Sequence, residues 1–287
     1  MEGSVQPGSV VVGIDTSTSS LAALDWAADY AKSTHSPIHL VHGFSHDRPD
    51  LVFNMGAEPE RLYAAGERVL TRGRNRVHLK DVRIDVTTSH PDGYPAAALV
   101  RASTHAQLVV LGSHGDSMLH ISSLGETAHQ VAAHAKCPVA VIRKEPDTAA
   151  YGRITVGVDR SDLSRKGLAW AFGEAERTGA DLHVLHAWQP QDAKDPNLGT
   201  ADWKSYTAAC REAIEQSVAG QQKLHPTVKV RTEIADGNPT RALVDESHRS
   251  DLVVIGARGV GGFEGLTLGR VAVDLLSHAT SPVLVMH

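Results

Sequence analysis

The chain is written twice, and that constrains its fold more than any other feature. VVVGIDTSTSSLAALDWAA, starting at Val10, aligns with ITVGVDRSDLSRKGLAWAF, starting at Ile154, and IHLVHGF aligns with LHVLHAW. Asp15 falls on Asp159, Trp26 on Trp170 and His42 on His186. Gly112, Gly115, Gly125 and Pro138 fall on Gly256, Gly259, Gly269 and Pro282, every pair 144 positions apart. A constant offset over nearly the whole length means a duplicated domain. A chain of 287 residues then divides into two domains of ordinary size, about 100 to 150 residues each. The expected boundaries are 1–144 and 151–287, with a linker at 145–150 inside the polar, proline-bearing stretch KEPDTAAYGR.

Within each copy, short β-branched runs alternate with segments of helical period. In the first copy the predicted strands are SVVVGI, PIHLVHG, VRIDVTT, QLVVLG and PVAVIR. Between the first two lies SSLAALDWAADYAKS, whose Leu21, Leu24, Ala28 and Ala31 recur at helical spacing and share a face. Apolar strands alternating with helices indicate a parallel sheet covered on both faces. Right-handed crossovers make it doubly wound. The expected fold class is therefore α/β, with two repeated doubly wound domains, each a five-stranded parallel sheet sandwiched by helices. The last strand of each copy, PVAVIR and PVLVMH, is expected at a sheet edge, where pairing is invited.

Ligands of such sheets sit beyond the strand C-terminal ends, where the strand order reverses. The first strand ends there in Gly13, Ile14 and Asp15, and in its repeat in Gly157, Val158 and Asp159. The fourth leads into VVLGSHGDSMLHISSLGE and VVIGARGVGGFEGLTLGR, both carrying G-x2-G-x9-G. Glycines that adopt positive φ expose their amides as an anion-binding nest. Gly125 and Gly269 stand where a helix begins and directs free N–H groups to the same point. Arg258 and Arg270 add positive charge to the second loop. An acidic acceptor facing a bare-backbone loop is what a nucleotide needs for its sugar or base and its phosphates. The lysine-bearing phosphate loop GxxxxGK[ST] and GxGxxG are both absent.

On these residues the sequence resembles a tandem universal stress protein, from Val10 to Val285. The resemblance implies an adenine nucleotide alpha hydrolase-like fold and ATP as the ligand, with or without Mg2+. It implies that Asp15 and Asp159 lie near ribose and adenine, and that the backbone of Gly43 and Ala187 lies near the base. The loop contacts it implies fall on Leu111, Gly112, Gly115, Gly125 and Thr127, and on Ile255, Gly256, Gly259, Gly269 and Val271. It further implies that the last strands of the two copies pair antiparallel as an internal pseudo-dimer, that two chains form a homodimer, and that the protein answers stress through a protein partner.

Both copies depart from the family pattern after the third glycine, where a hydroxyl residue is expected. Glu126 stands there in the first copy and Arg270 in the second. Glutamate suits a helix start but repels phosphate, Asp116 adds a second negative charge, and bulky Met118 replaces Gly262. Arginine can instead pair with phosphate. The C-terminal copy is therefore expected to be the better nucleotide site.

Other classes find less support. A net charge of −5 without long charge runs gives no cationic face for nucleic acid. No stretch approaches the ~20 apolar residues of a membrane span, and no leader pattern opens the chain, so the expected address is cytoplasmic. Two cysteines, Cys137 and Cys210, make no disulfide framework and read as small core residues. Seventeen histidines invite a metal, but no HExxH or Cys–His zinc spacing occurs, and His39 and His42 fall on opposite faces of a strand. Trp26 and Trp170 are expected in the core. Trp188 and Trp203 flank a loop at the ligand edge that would cover a base or lie on the surface. There is no G-x-S-x-G elbow and no nucleophile beside a base. His114 in the first loop has Arg258 as its counterpart, so slow ATP hydrolysis is the most that the second site would support.

Overall fold

In a computed structural model of the chain, residues 4–43, 59–115, 124–143, 150–188, 203–260 and 267–287 are described. Two compact units emerge, Met1–Glu145 and Pro146–Met286. Unit 1 runs β1 (Ser9–Gly13), α1 (Thr18–Thr34), β2 (Ile38–Val41), α2 (Pro59–Lys80), β3 (Val86–Ser89), α3 (Pro95–Ala102), β4 (Ala106–Gly112), α4 (Glu126–His134) and β5 (Val139–Ile142). Unit 2 repeats it with β6 (Arg153–Gly157), α5 (Asp162–Thr178), β7 (Asp181–Trp188), α6 (Trp203–Leu224), β8 (Val230–Asp236), α7 (Pro239–Ser247), β9 (Leu252–Gly256), α8 (Arg270–His278) and β10 (Val283–Met286).

All neighbouring strands within a unit are parallel, in the order β3-β2-β1-β4-β5 and β8-β7-β6-β9-β10. The chain leaves β1 toward β2 and later returns to its other side as β4. That reversal opens a crevice at the C-terminal ends of β1 and β4, and of β6 and β9 in unit 2.

The central strands are buried on both faces, as their composition requires: Val10, Val11 and Val12 of β1 and Val109 and Val110 of β4 have no exposed surface. Helix α1 covers them with Ala23, Leu24, Ala27, Ala28 and Ala31. Ser17 caps α1 by accepting from the Ser20 N–H at 3.2 Å, and Ser161 caps α5 through Ser164 at 3.1 Å. The helices end in left-handed residues, His35 in α1 and Gly179 in α5.

Three local expectations are corrected. Leu21 is exposed rather than part of the buried stripe, which runs through Ala23 and Ala27 instead. Trp26 and Trp170 are half-buried, not core, and Trp26 stacks on Tyr30 with ring centroids 5.5 Å apart. Strand β3 starts at Val86, not Val82, because a turn forms first: the Asp81 carboxylate accepts from the Arg83 N–H at 3.0 Å and the Ile84 N–H bonds the Asp81 carbonyl. Cys137 and Cys210 are buried, and no helix among the described residues is long and apolar enough to cross a membrane.

Candidate functional site

In unit 2 the crevice is organised by Asp159. Its Oδ1 accepts from the Ser161 N–H at 3.1 Å, closing the turn that leads into α5. Its Oδ2 accepts from the Val260 N–H at 2.9 Å, so the end of β6 and the glycine loop after β9 meet at one carboxylate. The loop then returns to the sheet, where the Gly269 N–H donates to the Ala257 carbonyl at 2.7 Å. Gly269 is the N-cap of α8 and has no side-chain cap. The first N–H groups of that helix have no intrahelical acceptor.

The glycines are bare for a different reason than expected. Among the described glycines positive φ occurs at Gly8, Gly93, Gly152, Gly179 and Gly237 but at none of the six motif glycines. Close approach decides instead at five of them, whereas a Cβ on Gly269 would make only ordinary contact, 3.4 Å from the Ala257 carbonyl oxygen. A Cβ on Gly259 would overlap Asp159 Oδ2, and one on Gly256 would lie 2.9 Å from Leu163 Cβ. In unit 1 a Cβ on Gly115 would lie 3.0 Å from Asp15 Oδ2, one on Gly112 would lie 2.6 Å from the Ser19 backbone, and one on Gly125 would lie 3.1 Å from the Ser113 carbonyl. Gly13 gives way to Leu111 and Gly157 to Ile255 and Leu243.

Unit 1 uses the same frame with other ties. Asp15 Oδ1 accepts from both the N–H and the hydroxyl of Ser17, at 2.9 and 2.5 Å. The hydroxyl of Ser19 donates to the His114 carbonyl, with Ser17 Oγ 3.2 Å from the same oxygen. Ser113 Oγ lies 2.7 Å from His114 Nδ1. In unit 2 the counterparts of Ser19 and Ser113 are Leu163 and Ala257, which carry no hydroxyl.

The second-strand histidines hold the first strand end. His42 Nδ1 lies 2.8 Å from the Ile14 carbonyl and His186 Nδ1 lies 2.6 Å from the Val158 carbonyl. A carbonyl accepts only, so Nδ1 carries the proton. Burial lowers the His186 pKa, opposed in part by that bond and by Asp159. The next residue at each strand end is Gly43 or Ala187. Gly43 packs so tightly on α3 that a Cβ would lie 2.6 Å from Pro95 Cα, whereas Ala187 is half-buried. Beside Val158 a cleft opens between α5 and α6, lined by Leu168, Ala213, Ile214 and Ser217 and edged by Arg160 and Arg165.

Thr127 and Val271 are half-buried in the first turns of α4 and α8, and Leu111 and Ile255 are buried in the strands. Arg258 is exposed. Arg270 has 90% of its side chain exposed, its Nε lying 3.6 Å from Asp274 one turn on. Glu126 is exposed at the start of α4. Asp116, Met118 and Gly262 lie outside the described residues, as do the side chain of Trp203 and the loop before it. Trp188 is buried at the end of β7. No group of metal-ligating side chains occurs among the described residues.

Sequence reading missed the serines. Ser17 and Ser161 follow the aspartates as D-x-S, a spacing that joins a carboxylate bond to the backbone with a helix cap.

The profile of the Universal stress protein family matches residues 8–143 and 150–287. The chain belongs to the universal stress protein family. A universal stress protein of Mycobacterium tuberculosis is 32% identical over 96% of the chain and 95% of its own length. One from Mycolicibacterium smegmatis is 31% identical, covering 96% of each. The crystal structure of a universal stress protein from Archaeoglobus fulgidus covers 98% of both chains at 19% identity with a TM-score of 0.73, a likeness of fold. Both copies of this universal stress protein thus fall within the family match, each with its glycine loop.

Proposed function

We propose that the protein binds an adenine nucleotide at the strand ends of its units, with ATP the ligand and the C-terminal site the better one. The observation that carries the reading is the meeting of Asp159 Oδ2 with the Val260 N–H, because it puts an acceptor for sugar hydroxyls and a donor for phosphate oxygens side by side. A first helical turn capped only by glycine adds further donors and a positive partial charge. The cleft beside Val158 offers the base an apolar wall. The preference for unit 2 follows from charge: an anion at α4 meets Glu126, and one at α8 meets Arg270.

Nucleotide then acts by binding one conformation better than another and so shifting the population that a protein partner meets. The setting is a cytoplasmic stress response, and two chains form a homodimer. Equilibrium dialysis with labelled ATP, competed by ADP and GTP, tests the ligand. Displacement by ADP but not GTP is expected, and no retained ATP at millimolar concentration contradicts the reading.

One observation favours a second reading. Arg258 and Arg270 are both exposed, and Arg270 already faces Asp274. A protein-interaction module that keeps the fold and holds no nucleotide would leave them so.

A further inference from the structure

We propose that Asp159 is a built-in occupant of the second glycine loop, so that the loop accepts a phosphate only from a ligand that also gives this carboxylate a new partner. The inference rests on the nucleotide reading for the identity of that ligand, but the contact itself does not. Asp159 bridges two backbone donors, Ser161 N–H through Oδ1 and Val260 N–H through Oδ2. The second is a charge-assisted bond of the kind an oxyanion makes with a loop amide. Gly259 is shaped for it, since any side chain there would collide with Oδ2. The residue thus serves the aspartate's approach, and no positive φ requires it.

A bare polyphosphate arriving at this loop meets a carboxylate already bonded to its donor, and like charges at hydrogen-bond distance repel. A nucleotide resolves the conflict. Its ribose hydroxyls donate to Asp159 and draw Oδ2 off the Val260 N–H, and its phosphate oxygen takes the vacated amide. The two halves of the ligand are therefore bound cooperatively, and neither a nucleoside nor a polyphosphate reproduces the whole. The same carboxylate that recognises the sugar excludes free phosphate.

Unit 1 adds hydroxyl ties to the same frame. There Oδ1 accepts twice from Ser17, and the loop carbonyl at His114 is tied by Ser19, so the loop position does not depend on the carboxylate alone.

The test is calorimetric titration of the full chain with ATP, adenosine and inorganic tripolyphosphate, for the native protein and for Asp159→Ala and Asp159→Asn. Both variants are expected to bind tripolyphosphate at least tenfold tighter than the native protein while losing affinity for ATP. Asp159→Asn keeps the side-chain volume and serves if the alanine variant does not fold. Hydrogen exchange at the Val260 amide is expected to accelerate in Asp159→Ala. Unchanged or weaker tripolyphosphate binding in the folded variants overturns the proposal. If the native protein binds no ATP while the variants gain tripolyphosphate, the occupant role stands and the nucleotide reading fails.

Discussion

Ser19 and Ser113 in unit 1 stand where unit 2 has Leu163 and Ala257, so a hydroxyl tie to the first glycine loop has no counterpart from those positions in the second. The first is tied by the Ser19 hydroxyl, which donates to the His114 carbonyl. The second is tied across the crevice, by a carboxylate on a loop amide. Duplication preserved the strand ends and the glycine spacing, because these set how closely backbones approach.

The long helices diverged as a matched pair. Gly66 of α2 makes room for the His90 ring, which Tyr63 stacks on at 4.6 Å and His42 approaches at 5.2 Å. In unit 2 the same positions are Cys210 and Ile234, and Cys210 is fully buried. The sharpest way to break the comparison is Gly66→Cys. It overpacks His90 and should cost roughly 2 to 3 kcal/mol in urea unfolding, with His90→Ile in the same chain recovering most of it. Additive losses would mean that the two units do not share this packing.

Gly259→Ala and Gly115→Ala come next. A Cβ overlaps Asp159 Oδ2 in the first case and lies 3.0 Å from Asp15 Oδ2 in the second. The first should lose about 2 kcal/mol and the second less than about 1 kcal/mol, read as paired shifts in thermal unfolding. Equal losses would remove the distinction between the loops. Ser17→Ala should then cost about 1.5 kcal/mol against about 1 kcal/mol for Ser161→Ala. Both delete a helix cap, but Ser17 also bonds Asp15 through its hydroxyl, and denaturant midpoints at constant slope would measure the difference.

The two units should behave alike toward acid. Burial lowers the pKa of His39 in unit 1 and is the main cause of lowering at His186 in unit 2, from an ordinary 6.5. A histidine kept neutral by the fold binds fewer protons folded than unfolded, so stability rises with pH through this range. It is complete above about 6.5 and is lost as pH falls below that toward the folded values. Melting temperatures between pH 7.5 and 5.5 should fall, and replacing either histidine by a neutral residue of similar size should flatten the decline. A profile unchanged by both replacements would assign the acid response elsewhere. The smallest expected effect is at Cys137, whose buried thiol is pushed up to about 12. It should resist iodoacetamide at pH 8 in the folded protein, as mass spectrometry of the labelled chain would reveal.

Most of this architecture was legible in the sequence because duplication offers every signal twice. The apolar runs became strands, and Gly125 and Gly269 became helix caps at the positions that the spacing implied. What was missed depends on distances that sequence does not carry. Glycine suggests positive φ when read alone, whereas Gly256 and Gly259 are bare because Leu163 of α5 and Asp159 at the end of β6 approach them. Leu21 fitted a helical stripe but lies at its margin, where the alanines of α1 already fill the space against the sheet. The early start expected for β3 failed because a side-chain turn at Asp81 outcompetes extended backbone. The role of Ser17 and Ser161 was within reach, since D-x-S before a helix is a local signal.

The most direct test of the asymmetric nucleotide site is calorimetric titration of the intact protein with ATP beside its Gly259→Glu and Gly115→Glu variants. Binding that disappears only in Gly259→Glu is the predicted result and assigns the working site to unit 2. Binding that survives Gly259→Glu and is lost in Gly115→Glu, or that halves equally in both, would contradict it.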